Sequence, residues 1–207
     1  KKTNVKQVRF IPRIGYIIME VIYDVDDVKQ RPDNKRYMGI DLGLNNLATV
    51  TSNILKPFII NGRPIKSINQ YYNKRKAHLQ SISGTVKTRR IRRMTLKRRN
   101  KIMDYFHKST TYIVNQAVSN AINTIVVGYN VSWKQDINMG TRNNQSFVSI
   151  PHSMFLSMLE YKCSLNGIRF IQREEAYTSK ASFIDCDPIE KQDTFSGERI
   201  RRGLYRS

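Results

Sequence analysis

Residues 35–50, KRYMGIDLGLNNLATV, decide how the chain is read. Residues 37–40 and 47–50 are two short apolar runs around a polar turn, the pattern of neighbouring antiparallel strands. Asp41 sits where the first of these strands should be most buried. An ionised carboxylate with apolar neighbours costs on the order of several kcal/mol unless it is paired or holds a cation. Asp41 therefore either meets an arginine or presents itself to a metal ion. Gly39 and Gly43 remove side chains beside it, which gives a metal, water or phosphate backbone room to approach.

Working outward, residues 5–23, VKQVRFIPRIGYIIMEVIY, hold two β-rich runs around PRIG and predict a hairpin. A polar stretch with Pro32 follows as a linker or boundary. After the two opening strands, KPFIING predicts a third, closed by the turn signal at Asn61 and Gly62. The period then becomes helical through SINQYYNKRKAHLQSI, with Gly84 as a stop. Ile102, Phe106, Ile113, Val114, Ala117, Val118 and Ala121 make an apolar stripe at helical spacing, so this segment should pack on a core. NTIVVGYN predicts a strand covered on both faces. IPHSMFLSMLEYKCSLNG predicts a helix between Pro151 and Gly167, and IRFIQREEAY a last strand ending in Glu174 and Glu175. The order is that of a mixed sheet with helices packed on it. Asp41 and the glutamate pair can meet only if their strands share that sheet.

The chain has 207 residues, with 36 Lys and Arg against 16 Asp and Glu, a formal net charge of +20. Such a field attracts polyanions, and nucleic acid is the first partner it implies. Residues 87–101, KTRRIRRMTLKRRNK, concentrate the charge in Lys87, Arg89, Arg90, Arg92, Arg93, Lys97, Arg98, Arg99 and Lys101. With no acid inside the run to form i,i+4 pairs, it repels itself unless a polyanion lies against it. Arg199, Arg201 and Arg202 form a second basic cluster, and Tyr71, Tyr72 and Trp133 are candidates to stack on bases. No run approaches the roughly 18 apolar residues that span a bilayer, and the N-terminus does not read as a signal peptide. A cytoplasmic or nucleoid-associated protein with no membrane partner is expected. Cys163 and Cys186 are too few for a four-thiolate zinc site and are expected to be reduced.

GIDLGLNNLATVTS resembles the first motif of the RuvC-type nuclease domain of TnpB proteins, the transposon-encoded RNA-guided nucleases also called OrfB transposases. The resemblance continues in order through HKST, IVVGYNVSWKQDINMG, FVSIPHSMFLSMLEYK, EEAYTSKASF and FSGERIRRGLYRS. It implies an RNase H-like α/β fold: a mixed five-stranded sheet, its first three strands antiparallel, with flanking helices. Residues 1–33 would be the end of a preceding β-rich wedge domain and its linker. Residues 34–207 would be the RuvC-like domain, ending before its third acidic motif, since the family's aspartate lies shortly after RGLY. Asp41 matches the first catalytic acid and metal ligand, for Mg²⁺ or Mn²⁺.

Two departures follow. Many relatives carry the second acid directly after the IVV strand, where this chain has Gly128. By resemblance the acid is relocated to EEAYTSK and falls on Glu175, with Glu174 in reserve. Asp185 and Asp187 are weaker stand-ins for the third acid. The paired CxxC elements of the family's zinc ribbon are missing, so no structural zinc is expected. The function implied is metal-dependent cutting of a DNA target selected by a guide RNA, in association with a transposable element. The alternatives are a guided DNA-binding protein or repressor that has lost its nuclease, and a transposase proper.

Overall fold

The computed structural model describes residues 4–13, 16–26, 28–85, 88–129, 150–174, 177–178, 180–201 and 204–206. The alternation in the opening motif becomes β3 once the hairpin before it is counted. That hairpin pairs β1 (Val5–Arg13) with β2 (Tyr16–Tyr23), with Phe10 opposite Met19 and Val8 opposite Val21. The main sheet begins with β3 (Tyr37–Leu42), β4 (Asn46–Ser52) and β5 (Phe58–Asn61), all antiparallel, with Ile40 opposite Val50 and Asp41 opposite Thr49.

Helices α1 (Arg63–Ser83) and α2 (Arg89–Ser119) follow, then β6 (Thr124–Gly128), α3 (His152–Leu165) and β7 (Arg169–Arg173). Strand β6 lies parallel to β3, and β7 parallel to β6, which gives the order β5-β4-β3-β6-β7. The mixed five-stranded sheet with three leading antiparallel strands is the RNase H-like, RuvC-type arrangement. A short pair, β8 (Glu198–Arg201) and β9 (Leu204–Arg206), follows it in the chain.

One face of this sheet carries the core. Met38, Ile40 and Leu42 of β3, Ala48 and Val50 of β4, and Ile125 and Val127 of β6 are buried in one cluster. Ile102, Phe106, Ile113 and Ala117 of α2 and Phe155, Leu156 and Leu159 of α3 complete it. The rings of Phe106 and Phe155 meet edge to face at 5.3 Å between centroids. Lys162 of α3 donates to the His107 carbonyl (2.8 Å) and to the hydroxyls of Thr110 and Thr111 (both 2.7 Å), which ties the two helices together.

Two local expectations change. Helix α2 ends at Ser119, and Ala121 lies past it, exposed at φ +51°, so Ile122 closes the apolar stripe instead. The turn signal at Asn61 and Gly62 does close the third strand: it joins β5 to α1, with Gly62 as N-cap. A Cβ on Gly62 would stand 2.2 Å from the Leu44 carbonyl oxygen, so the turn between β3 and β4 demands glycine there. Strand β6 is covered on its core face, while on the other Thr124 is buried and Val126 and Gly128 are half-buried. Between β2 and β3 the linker is strapped down: Arg31 N–H donates to the Gly167 carbonyl (3.0 Å) and Asn34 to that of Ala121 (2.6 Å).

Candidate active site and basic groove

On the face opposite the core, β3 presents Gly39 and Asp41, β4 presents Thr49 and Thr51, and β6 presents Val126 and Gly128. These residues line an open cavity of about 640 Å³, bounded also by Arg173 and Glu174 at the end of β7 and by Ile189. Asp41 thus stands on the central strand of the sheet, aimed away from the hydrocarbon core. Alternation along β3 places it there, since Ile40 and Leu42 on either side are buried. No hydrogen bond or ion pair to its carboxylate occurs among the described residues. Its pKa is raised by desolvation alone, as for a carboxyl set into a cavity without a cation beside it. The arginine-paired alternative for Asp41 therefore finds no support among the described residues.

The two flanking glycines have separate reasons. A Cβ on Gly39 would meet only the Thr51 methyl at 3.4 Å, so glycine here leaves space in the cavity. A Cβ on Gly43 would come within 2.8 Å of the Asn46 carbonyl oxygen, so that glycine serves the β3–β4 turn.

Strands β3 and β7 do share one sheet, with β6 between them. Val127 pairs with Ile40 and Gly128 with Arg173, so one step along β3 Asp41 lies level with Gly128. A glutamate at position 128 would lie beside Asp41 on the neighbouring strand, where a second ligand is useful. In this chain that place is bare. Glu174 follows the last residue of β7 and lines the same cavity; Glu175 lies outside the described residues. Carboxylate oxygens suit Mg²⁺, which is commonly held by one or two of them together with waters and substrate phosphates. No group of three or more His, Cys, Asp or Glu able to hold a metal occurs among the described residues.

Asp185 and Asp187 are occupied locally. Asp185 accepts from the Ser182 hydroxyl (2.5 Å), and Asp187 accepts from Ser182 N–H (2.9 Å) and the Ser196 hydroxyl (2.6 Å). These bonds hold the Asp187 pKa below the usual carboxylate range. Cys163 is buried in the core with its thiol pushed up to about 12 by burial, and Cys186 is exposed.

The basic run forms the first half of α2, capped by Thr88, whose hydroxyl accepts from Ile91 N–H (3.2 Å). Between α1 and α2 lies a groove of about 750 Å³. Arg90, Arg93, Lys97 and Lys101 line it from α2 at helical spacing, facing Tyr71 and Arg75 of α1. Arg89 and Arg92 are exposed on the rest of the same helix. None of these α2 cations is ion-paired among the described residues.

Arg98 and Arg99 are half-buried and bonded within the fold, and Arg98 also lines the groove. Arg98 donates to the buried Asn69 (2.6 Å) and lies 4.9 Å from the Tyr72 ring centre, with its pKa lowered by burial. Arg99 donates to the Tyr16 hydroxyl (2.7 Å) and so fastens the hairpin to α2. Tyr72 bonds Thr95 (2.9 Å), whereas Tyr71 is 66% exposed. Arg199 and Arg201 are exposed on β8; Arg202, Trp133 and Lys87 lie outside the described residues.

One cation at the cavity escaped sequence reasoning. Arg173 is a single arginine in a strongly basic chain, and only the register of β7 on β6 puts it in the row of Asp41.

Comparison with known proteins gives the chain its family. The cryo-EM structure of the Cas12f1–sgRNA–target DNA complex aligns with a TM-score of 0.58 and 18% identity, over 84% of this chain and 42% of that one. The cryo-EM structure of the CRISPR-Cas12f ternary complex aligns with a TM-score of 0.59 and 16% identity, over 88% of this chain and 37% of that one. At these identities the likeness is one of fold, and the chain spans less than half the length of either relative. No curated protein matches. Residues 152–203 match the Cas12f1-like TNB domain model. The OrfB_IS605 model, described as a probable transposase, matches residues 20–134, more than half of the 207. The chain belongs to this OrfB, or TnpB-like, transposase family.

Proposed function

We propose that the chain is the RuvC-like part of a TnpB-type RNA-guided DNA endonuclease, with Asp41 as a ligand of the catalytic Mg²⁺. In this reading residues 34–207 form the nuclease domain and residues 1–33 end a preceding wedge domain. The observation that carries it is Asp41 itself: a carboxylate at the centre of the sheet, without a partner among the described residues, facing a cavity cleared by Gly39 and Gly128. Glu175 or Glu174 is the second ligand. Held by these carboxylates, Mg²⁺ would supply a lowered pKa for an attacking water and charge neutralisation for the phosphate. Thr49 and Thr51 keep the surrounding floor polar, and Arg90, Arg93, Lys97 and Lys101 of the groove grip phosphates with little base specificity. The Cas12f1 structure of this fold is a complex with an sgRNA and target DNA, and a guide RNA and a DNA target are proposed as partners here.

Gly128 favours a second reading, a guided DNA-binding protein that no longer cuts. The test is cleavage of a guide-matched duplex by the full-length protein with its guide, in Mg²⁺ and in EDTA. The nuclease reading expects cutting in Mg²⁺ only, lost in Asp41→Ala and in one of Glu174→Ala and Glu175→Ala. Cutting by Asp41→Ala refutes the assignment of that residue. Guided binding without any Mg²⁺-dependent cutting by the unaltered protein establishes the second reading.

A further inference from the structure

Asp41, Gly128 and Arg173 lie level on three consecutive strands, β3, β6 and β7. Neighbouring strands are about 4.8 Å apart, so the first and last of these residues have backbones roughly 10 Å apart. Glycine between them leaves no side chain in the gap. Both ends line the same cavity, and the two do not pair with each other or with another charged group among the described residues.

The backbone under Arg173 is fixed. Its carbonyl accepts from Tyr129 N–H at 2.8 Å, which binds the end of β7 to the residue leaving β6. Arg169, on the same strand and face, stands at the far end, where its charge acts on Asp33 of the linker. Arg173 is thus a cation set into a cavity whose opposite wall is a carboxylate. A planar guanidinium offers a fork of donors that matches two oxygens of one phosphate.

We infer that Arg173 binds a backbone phosphate of the DNA strand in the cavity, across Gly128 from Asp41. The inference rests on the nucleic-acid reading of this site and adds a residue to it. Where relatives have a carboxylate after the IVV strand, this row runs carboxylate, gap, guanidinium. The gap receives the phosphodiester, with Arg173 on its non-bridging oxygens and the metal-binding side at Asp41. The strand's register on the sheet is then set from the β7 side.

The test is anisotropy of a short fluorescein-labelled oligothymidylate on the full-length protein in EDTA, over a series of salt concentrations. Each phosphate contact on a single strand contributes about 0.7 to the slope of log K against log salt. Arg173→Gln is expected to flatten the slope by about that amount and weaken binding about tenfold. Arg173→Lys keeps the slope and loses part of the affinity, because the point charge stays and the fork does not. Arg169→Gln matches the unaltered protein. An unchanged slope in Arg173→Gln, or an equal change in Arg169→Gln, overturns the inference. Since EDTA removes catalysis, that failure is separate from failure of the nuclease reading, which guided cleavage decides.

Discussion

The two faces of the central sheet are built from the same strands and do opposite work. One face of β3 carries Met38, Ile40 and Leu42, all buried against α2 and α3. The other carries Gly39 and Asp41 in an open cavity with Thr49, Gly128 and Arg173. Period-two alternation lets a single hexapeptide serve both, so stability is concentrated on one side and polar chemistry on the other. Substitutions on the core face should change stability, and substitutions on the cavity face should change ligand binding.

The comparison breaks most visibly at Phe106. Phe106→Ala removes a ring fully buried against Phe155 and should cost about 3–5 kcal/mol, a drop in melting temperature on the order of 10 °C. Met38→Ala on β3 should cost about 2–5 kcal/mol by denaturant unfolding. Next in size is the contact between hairpin and α2. Tyr16→Phe removes the oxygen that accepts from Arg99, and about 1 kcal/mol of hairpin docking should be lost. Faster amide exchange in β1 and β2, with the sheet unaffected, is the expected signature.

Smallest and opposite in sign is Asp41→Asn. Desolvation raises the Asp41 pKa in the folded protein, so the native state holds this proton more tightly than the unfolded chain. The penalty for its charge is complete above the folded pKa and absent below the unfolded value. At pH 7 the variant should therefore melt no lower than the unaltered protein, and any gain, small because Asp41 is exposed, should vanish as the pH falls through the carboxylate range. A lower melting temperature at pH 7 would mean that Asp41 supports the fold.

Much of this division is legible in the sequence, and its limits are physical. The helical periods around Phe106 and Phe155 locate the core, whereas Asp41, expected at the most buried point of its strand, is exposed on the face opposite Ile40 and Leu42. Alternation along one strand, however, does not give the register between strands. Register alone aligns Asp41 with Gly128 and Arg173, so the arginine stayed hidden among 36 Lys and Arg. The Asn61–Gly62 pair carries a turn signal that the fold uses, but the close approach to Leu44 that requires the glycine is tertiary and has no local signature. A strand pattern running through REEAY suggests that β7 continues, while β7 itself ends at Arg173, leaving Glu174 beyond its ladder. Arg98 and Arg99 look the same as their neighbours in a charge run, and only the positions of Asn69 and Tyr16 distinguish them.

The most direct test of the division between faces is where a divalent ion binds. Mn²⁺ broadens the amide resonances of nearby residues, and it can be titrated into the labelled protein carrying a bound oligothymidylate. The expected result is broadening centred on Gly39, Asp41, Gly128 and Glu174, absent in Asp41→Asn, with the resonances of the distant hairpin β1–β2 unchanged. Broadening that persists in Asp41→Asn, or that never appears at Gly39 and Gly128, would contradict the claim that this face of the sheet holds the metal.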